Sequence, residues 1–139
     1  MEIKQISQEC IDIFWTPQVK GWIQKVVEQT GGRHTLQTTY RLLKEGVMTM
    51  FLILHGKKIS GVVVTQVMQY PAKKTLAFLF IGGEKIVKHL KKVENFFIEY
   101  ARKKQLDTIE CFGRKGWIKV LKQQKQKMKL TGYAYEIFA

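Results

Sequence analysis

Gly82 and Gly83 stand between an extended apolar run, Thr75 to Ile81, and a long amphipathic segment that begins near Glu84. A glycine turn between a strand and a helix lets backbone N–H groups approach an anion, and the positive end of the helix favours its charge. A phosphate-binding turn is therefore one reading of these two glycines; backbone freedom at a strand-to-helix turn is the other. A second candidate is Gly113-Arg114-Lys115-Gly116-Trp117. Cations at a helix start oppose the helix dipole, so Arg114 and Lys115 there are consistent with an anion held between them and the spare N–H groups. A phosphate of a cofactor or of nucleic acid would qualify. Equally, the glycines permit a tight turn, Trp117 plugs the core and both cations are solvated.

Other familiar chemistries find no support. His34, His55 and His89 have no metal-ligand spacing with one another or with Cys10 and Cys111, so a zinc site is not expected. There is no Gly-x-Ser-x-Gly elbow and no Walker loop. Two cysteines far apart, one of them in an apolar strand, read as two buried thiols in a reducing compartment rather than a disulfide.

The elements that would position these residues follow from periodicity. Glu2 to Ile6 alternates as a short strand. Thr16 is a potential N-cap with Pro17 at the first helical position, and Val19, Trp22, Ile23, Val26 and Val27 form a 3.6-period stripe ending at Gly31-Gly32. Trp15 and Trp22 are core residues on this spacing. Thr35 can cap a second helix carrying Leu36, Tyr40 and Leu43. The period then becomes extended: Met50 to Leu54, a turn at His55-Gly56-Lys57-Lys58, and Ile59 to Met68 predict a hairpin. A turn at Tyr70 to Lys74 leads to a third antiparallel strand, Thr75 to Ile81, which Gly82-Gly83 break. Ile86, Leu90, Val93, Phe97 and Tyr100 mark the buried stripe of a helix from Glu84 to Lys104. Leu106 to Phe112 is the next strand, a short helix begins near Arg114, and Leu130 to Phe138 is the last strand.

With 139 residues, 45% apolar, the chain suits one α/β domain with a mixed, mostly antiparallel sheet flanked by helices. No run approaches the roughly 20 apolar residues that span a bilayer. The formal charge is +13, enough to attract nucleic acid, acidic protein or a phosphorylated cofactor. From Lys85 to Lys129 there are fourteen Lys and Arg and four acids, Glu94, Glu99, Asp107 and Glu110. Lys88, Lys92, Asn95, Glu99 and Arg102 share the face opposite the apolar stripe of the long helix, where counterion release would give salt-dependent nucleic-acid affinity. No aromatic interleaves them as a stacking platform.

The order β-α-α-β-β-β-α-β-α-β resembles the GNAT fold of N-acetyltransferases over essentially the whole chain. Tyr100-Ala101-Arg102-Lys103-Lys104-Gln105-Leu106 looks like the end of that fold's central helix. Tyr70-Pro71, Ile81-Gly82-Gly83 and Gly113-Arg114-Lys115-Gly116-Trp117 are similar to a family of small GNAT-like bacteriophage and prophage proteins that includes internal virion proteins of short-tailed phages.

The GNAT resemblance implies acetyl-coenzyme A as a possible cofactor, its pyrophosphate held by an Arg/Gln-x-x-Gly-x-Gly/Ala loop. The matching place reads Phe80-Ile81-Gly82-Gly83-Glu84-Lys85-Ile86, with adjacent glycines, no leading basic residue, and Glu84 to repel a phosphate where Lys85 and Lys88 would attract it. The Asn-x-x-Ala-x-x-x-Tyr pattern that supplies a thiolate-protonating tyrosine falls on Gly113, Gly116 and Val120, none of which matches. Glu110 on the fifth strand is the candidate general base if it faces the cleft, and a solvated edge residue if it does not. Two expectations follow. One is a non-catalytic phage or prophage protein, in host cytoplasm or virion interior, whose basic surface meets packaged DNA or phage structural proteins. The other is an acetyl-coenzyme A-dependent N-acyltransferase in which Gly82, Gly83, Lys85 and Ile86 line the pyrophosphate and Arg114 helps to hold the cofactor.

Overall fold

A computed structural model describes residues 1–111. The expected helix at Gly113 to Trp117, with Arg114, and the expected strand at Leu130 to Phe138 lie outside the described residues. The chain opens with β1 (Glu2–Ile6), a single 3-10 turn at Gln8–Cys10 and a four-residue α1 (Ile11–Phe14). These two short helical turns escape periodicity because neither is long enough to show a stripe. Then come α2 (Pro17–Val27) and α3 (Leu36–Lys44). Both start where their caps predict. Thr16 Oγ1 accepts the Val19 N–H at 3.3 Å, with Pro17 in the first turn. Thr35 Oγ1 accepts the Thr38 N–H at 3.0 Å while Thr38 Oγ1 accepts the Thr35 N–H at 2.9 Å, a reciprocal capping box.

β2 (Met48–His55), β3 (Lys58–Gln69) and β4 (Lys74–Gly83) form the antiparallel meander, α4 (Ile86–Lys103) crosses over, and β5 (Thr108–Cys111) returns parallel to β4. The sheet order is β1-β2-β3-β4-β5. Gly56, with φ 60°, makes the tight turn between β2 and β3.

Alternation along the strands splits the core between the two faces of the sheet. Met50, Leu52, Val62 and Val64 pack with Ile11, Val19, Ile23 and Leu43 of the first three helices. Phe51, Ile53, Val63 and Leu76 pack with Val93 and Phe97 of α4 on the other side. Trp15 and Trp22 are partly buried against the first cluster. Of the predicted α4 stripe, Leu90, Val93 and Phe97 are buried and Ala101 joins them; Ile86 and Tyr100 pack half-buried at its margin.

One expectation is corrected here. Gly82 and Gly83 do not break the strand; β4 runs through both, pairing Gly82 with Val62 and Gly83 with Gly61. The reason is steric. A Cβ on Gly83, whose φ is 140°, would lie 2.3 Å from Ser60 O, and one on Gly82 would lie 3.2 Å from the Cβ and carbonyl oxygen of Trp22. These glycines let β3 and α2 come close, a demand that local sequence shows only as flexibility.

Candidate functional site

The two ends of β4 are built differently. Its first half is fastened to β5. Lys74 N–H donates to Asp107 Oδ2 at 2.9 Å, the Asp107 N–H donates back to Lys74 O at 2.9 Å, and the Thr75 and Thr108 hydroxyls pair at 2.9 Å. Parallel pairing then continues through Leu76–Ile109 and Ala77–Glu110 to Phe78–Cys111.

One residue beyond Phe78, β4 bulges. Val64 pairs with Phe80 but Thr65 pairs with Phe78, leaving Leu79 as an extra residue. A bulge re-aims side chains by one position. Leu76 and Phe78 belong to the α4 face, whereas Phe80 and the adjoining Leu79 belong to the face of α1–α3, and Ile81 returns to the α4 face. Beyond the bulge, Leu79 to Gly83 has no strand beside it opposite β3 among the described residues, and it leads directly to the start of α4.

That start is unusual. Lys85, the residue before the first turn, sits in the left-handed region at φ 54°, ψ 34°, and no side chain caps the helix. A non-glycine residue held there is strained by about 1–2 kcal/mol. The first turn contains no acidic residue, while Lys85 and Lys88 are exposed beside it. Glu84 donates its N–H to Ser60 O at 2.8 Å, so this amide serves the sheet, and its carboxylate meets Lys58 Nζ at 3.1 Å. The charge expected to repel a phosphate thus has a cation beside it.

Gly82, Gly83, Lys85 and Ile86 are contiguous at the junction of β4 and α4, but the two glycines serve packing against β3 and α2. Glu110 lies one position before the last β4–β5 pair. It is half-buried on the outermost strand of the described sheet, and its Oε1 accepts the exposed Tyr70 hydroxyl at 2.8 Å. Arg114 lies outside the described residues.

Sequence reading passed over Tyr70 as a chemical participant, because the 40 residues between it and Glu110 hide the pairing. Its hydrogen bond to Glu110 raises the phenol's pKa above the ordinary value, with desolvation adding to the effect. A second missed pair is His55 and His89, their rings 4.8 Å apart at the other end of α4's first turns. Desolvation first, then the charges of His55, Lys88 and Lys92, lower the His89 pKa. No group of three or more His, Cys, Asp or Glu that could hold a metal occurs among the described residues. Both cysteines are free thiols, as expected, but Cys10 is half-buried and Cys111 exposed, correcting the expectation that both are buried.

No family model matches the chain, and no curated protein matches it in sequence. Solved structures match it nearly end to end. An aminoglycoside acetyltransferase from an uncultured soil metagenomic sample, in complex with sisomicin, superposes with a TM-score of 0.69 at 13% identity, covering 99% of this chain and 96% of its own. A probable acetyltransferase gives 0.70 at 13% identity over 100% and 98%. A predicted acetyltransferase from Clostridium acetobutylicum, solved with acetyl-CoA, gives 0.66 at 7% identity over 97% and 95%.

The chain has the GNAT fold. At these identities the likeness is one of architecture, and the three GNAT-fold neighbours are acetyltransferases by name, none a virion protein. Among the described residues the sheet is mostly antiparallel, with β4 and β5 parallel, and β4 bulges at Leu79 ahead of α4.

Proposed function

We propose that this chain binds an acyl-coenzyme A along β4 beyond its bulge and transfers the acyl group to an amine. The observation that carries the reading is the coincidence of two features at one place: Leu79 bulges out of β4, and seven residues later an uncapped helix begins with Lys85 before it and Lys88 in its first turn. The fit to the coenzyme rests on that helix start. Its free N–H groups at Ile86, Val87 and Lys88 and the side chains of Lys85 and Lys88 would hold the pyrophosphate. Bound there, the coenzyme supplies a thioester carbonyl open to attack by an amine.

Glu110 is the general base in this reading. Its Oε1 is occupied by the Tyr70 hydroxyl, which fixes the carboxylate and leaves Oε2 to take a proton from the acceptor. Tyr70 positions the base. The raised phenol pKa keeps that hydroxyl a donor through the neutral range.

Thermal unfolding with and without acetyl-CoA tests the binding step. A ligand specific for the folded state at 100 times its dissociation constant stabilises by about 2.7 kcal/mol. Lys85→Glu should abolish the shift, and no shift in the unaltered protein at millimolar acetyl-CoA overturns the reading. Thiol release with a panel of amines then tests transfer. An aminoglycoside belongs in that panel because one structural neighbour is an aminoglycoside acetyltransferase.

A second reading is a non-catalytic binding protein, for instance a phage virion or assembly component. It is favoured by one observation: the glycines that would cradle a phosphate are tied to Ser60, Gly61 and Trp22. No acetyl-CoA shift and no thiol release on any amine would select it. No helix among the described residues is long and apolar enough to cross a membrane, which agrees with either reading.

A further inference from the structure

We propose that the solvent face of α4 docks the two phosphate backbones of duplex DNA without reading its bases. The face is continuous and exposed: Lys88, Lys91, Lys92, Asn95, Arg102 and Lys103 all lie on the solvent side, opposite the buried Leu90, Val93, Phe97 and Ala101. Its cations fall in two groups, Lys88, Lys91 and Lys92 near the helix start and Arg102 and Lys103 near its end. From Lys92 to Arg102 the helix rises about 15 Å. The span between them is neutral in effect, holding Asn95 and Glu99, whose carboxylate is 2.8 Å from Arg102.

Two cationic groups at this separation suit two backbones across a groove, the major groove being about 12 Å wide between its walls. A single strand has no second backbone at a fixed distance, and the ridge offers no exposed aromatic on which bases would stack. An acidic protein partner would seek an apolar centre. Val87, to one side, is the only large hydrophobic of α4 that is exposed. A chain of net charge +13 supplies long-range attraction to the same polyanion.

Fluorescence anisotropy of a labelled 20-base-pair duplex of mixed sequence, titrated with the full chain from 50 to 200 mM salt, tests the surface. About four to five contacts predict a slope of log K against log salt near −4. The Lys91→Gln, Lys92→Gln, Lys103→Gln triple variant should flatten that slope by about three, while Lys4→Gln, Lys25→Gln, Lys73→Gln, which removes the same charge from exposed positions elsewhere, should leave it within one of the parent. Equal effects of the two triples overturn the proposal, because the charge would then act only in bulk. Tighter binding of an oligo(dT) strand, or displacement of the duplex by polyglutamate at equal charge, overturns it as well. None of the substituted residues belongs to the coenzyme site, so the acetyl-CoA shift should persist in both triples; its loss in the parent bears on the enzyme reading alone.

Discussion

Among the described residues, the first half of β4 is paired on both sides and the second half on one. From Lys74 to Phe78 the strand has β3 on one side and β5 on the other, with Asp107, Thr108 and Glu110 each cross-linked to the β4 side by a polar contact of 2.8–2.9 Å. From Leu79 to Gly83 it keeps β3, gains a bulge, and ends against a strained lysine. One strand thus combines a segment paired on both sides with one that, among the described residues, is paired on a single side. The lesson is that a single inserted residue shifts side-chain phase without ending the ladder, which resumes at Val64–Phe80 and runs on to Gly61–Gly83.

The largest test of this contrast is Gly83→Val. With φ 140° and Ser60 O within 2.3 Å of the new Cβ, it should lower unfolding free energy by about 3 kcal/mol in urea denaturation, from combined strain and overpacking. A loss below about 1 kcal/mol would mean that β3 and β4 separate easily here and that the junction is not rigid.

In the first half, Thr75→Val removes a fully buried hydroxyl from its 2.9 Å pairing with Thr108. A loss of about 1 kcal/mol is expected, with acetyl-CoA binding unchanged. Beyond the second half the sign reverses. Lys85→Gly relieves about 1–2 kcal/mol of left-handed strain but adds flexibility to the unfolded chain, a net gain of about 0.5 kcal/mol. Coenzyme affinity should fall at the same time, which calorimetry on the same sample would show.

Stability at the two ends should also fail at opposite pH limits. Tyr70 binds its proton more tightly in the folded chain than at the ordinary 10.0, so its contribution is present below that value and is lost as pH rises through the raised pKa. His89 binds its proton less tightly than at 6.5; its contribution is present above that value and fades as pH falls through it toward the lowered one. Tyr70→Phe should flatten only the alkaline limb of a stability profile and His89→Gln only the acidic one. Both variants flattening the same limb would contradict these environments.

What could be read without coordinates was whatever a few neighbouring residues decide. Thr16-Pro17 and Thr35 name the starts of α2 and α3 because a cap is a contact over three residues. The hairpin at Gly56 and the stripe of α4 are legible for the same reason, and in sum they are enough to specify a GNAT-like order of elements. Glu110 was legible as a carboxylate on β5. Its partner was not.

Composition and local pattern alone determined the charge, the succession of strands and helices, and which face of α4 meets solvent, since each depends on the period of the backbone. Tertiary structure decided that Gly82 and Gly83 lie inside a strand, that Leu79 is the residue left over, that Lys85 turns left-handed, and that Tyr70 holds Glu110. Each of these is a contact or a constraint between segments 13 to 60 residues apart, or follows from one. Glycine looks the same in a sequence whether it permits a turn or a close approach, and only the neighbour that would collide with its missing Cβ tells the two apart.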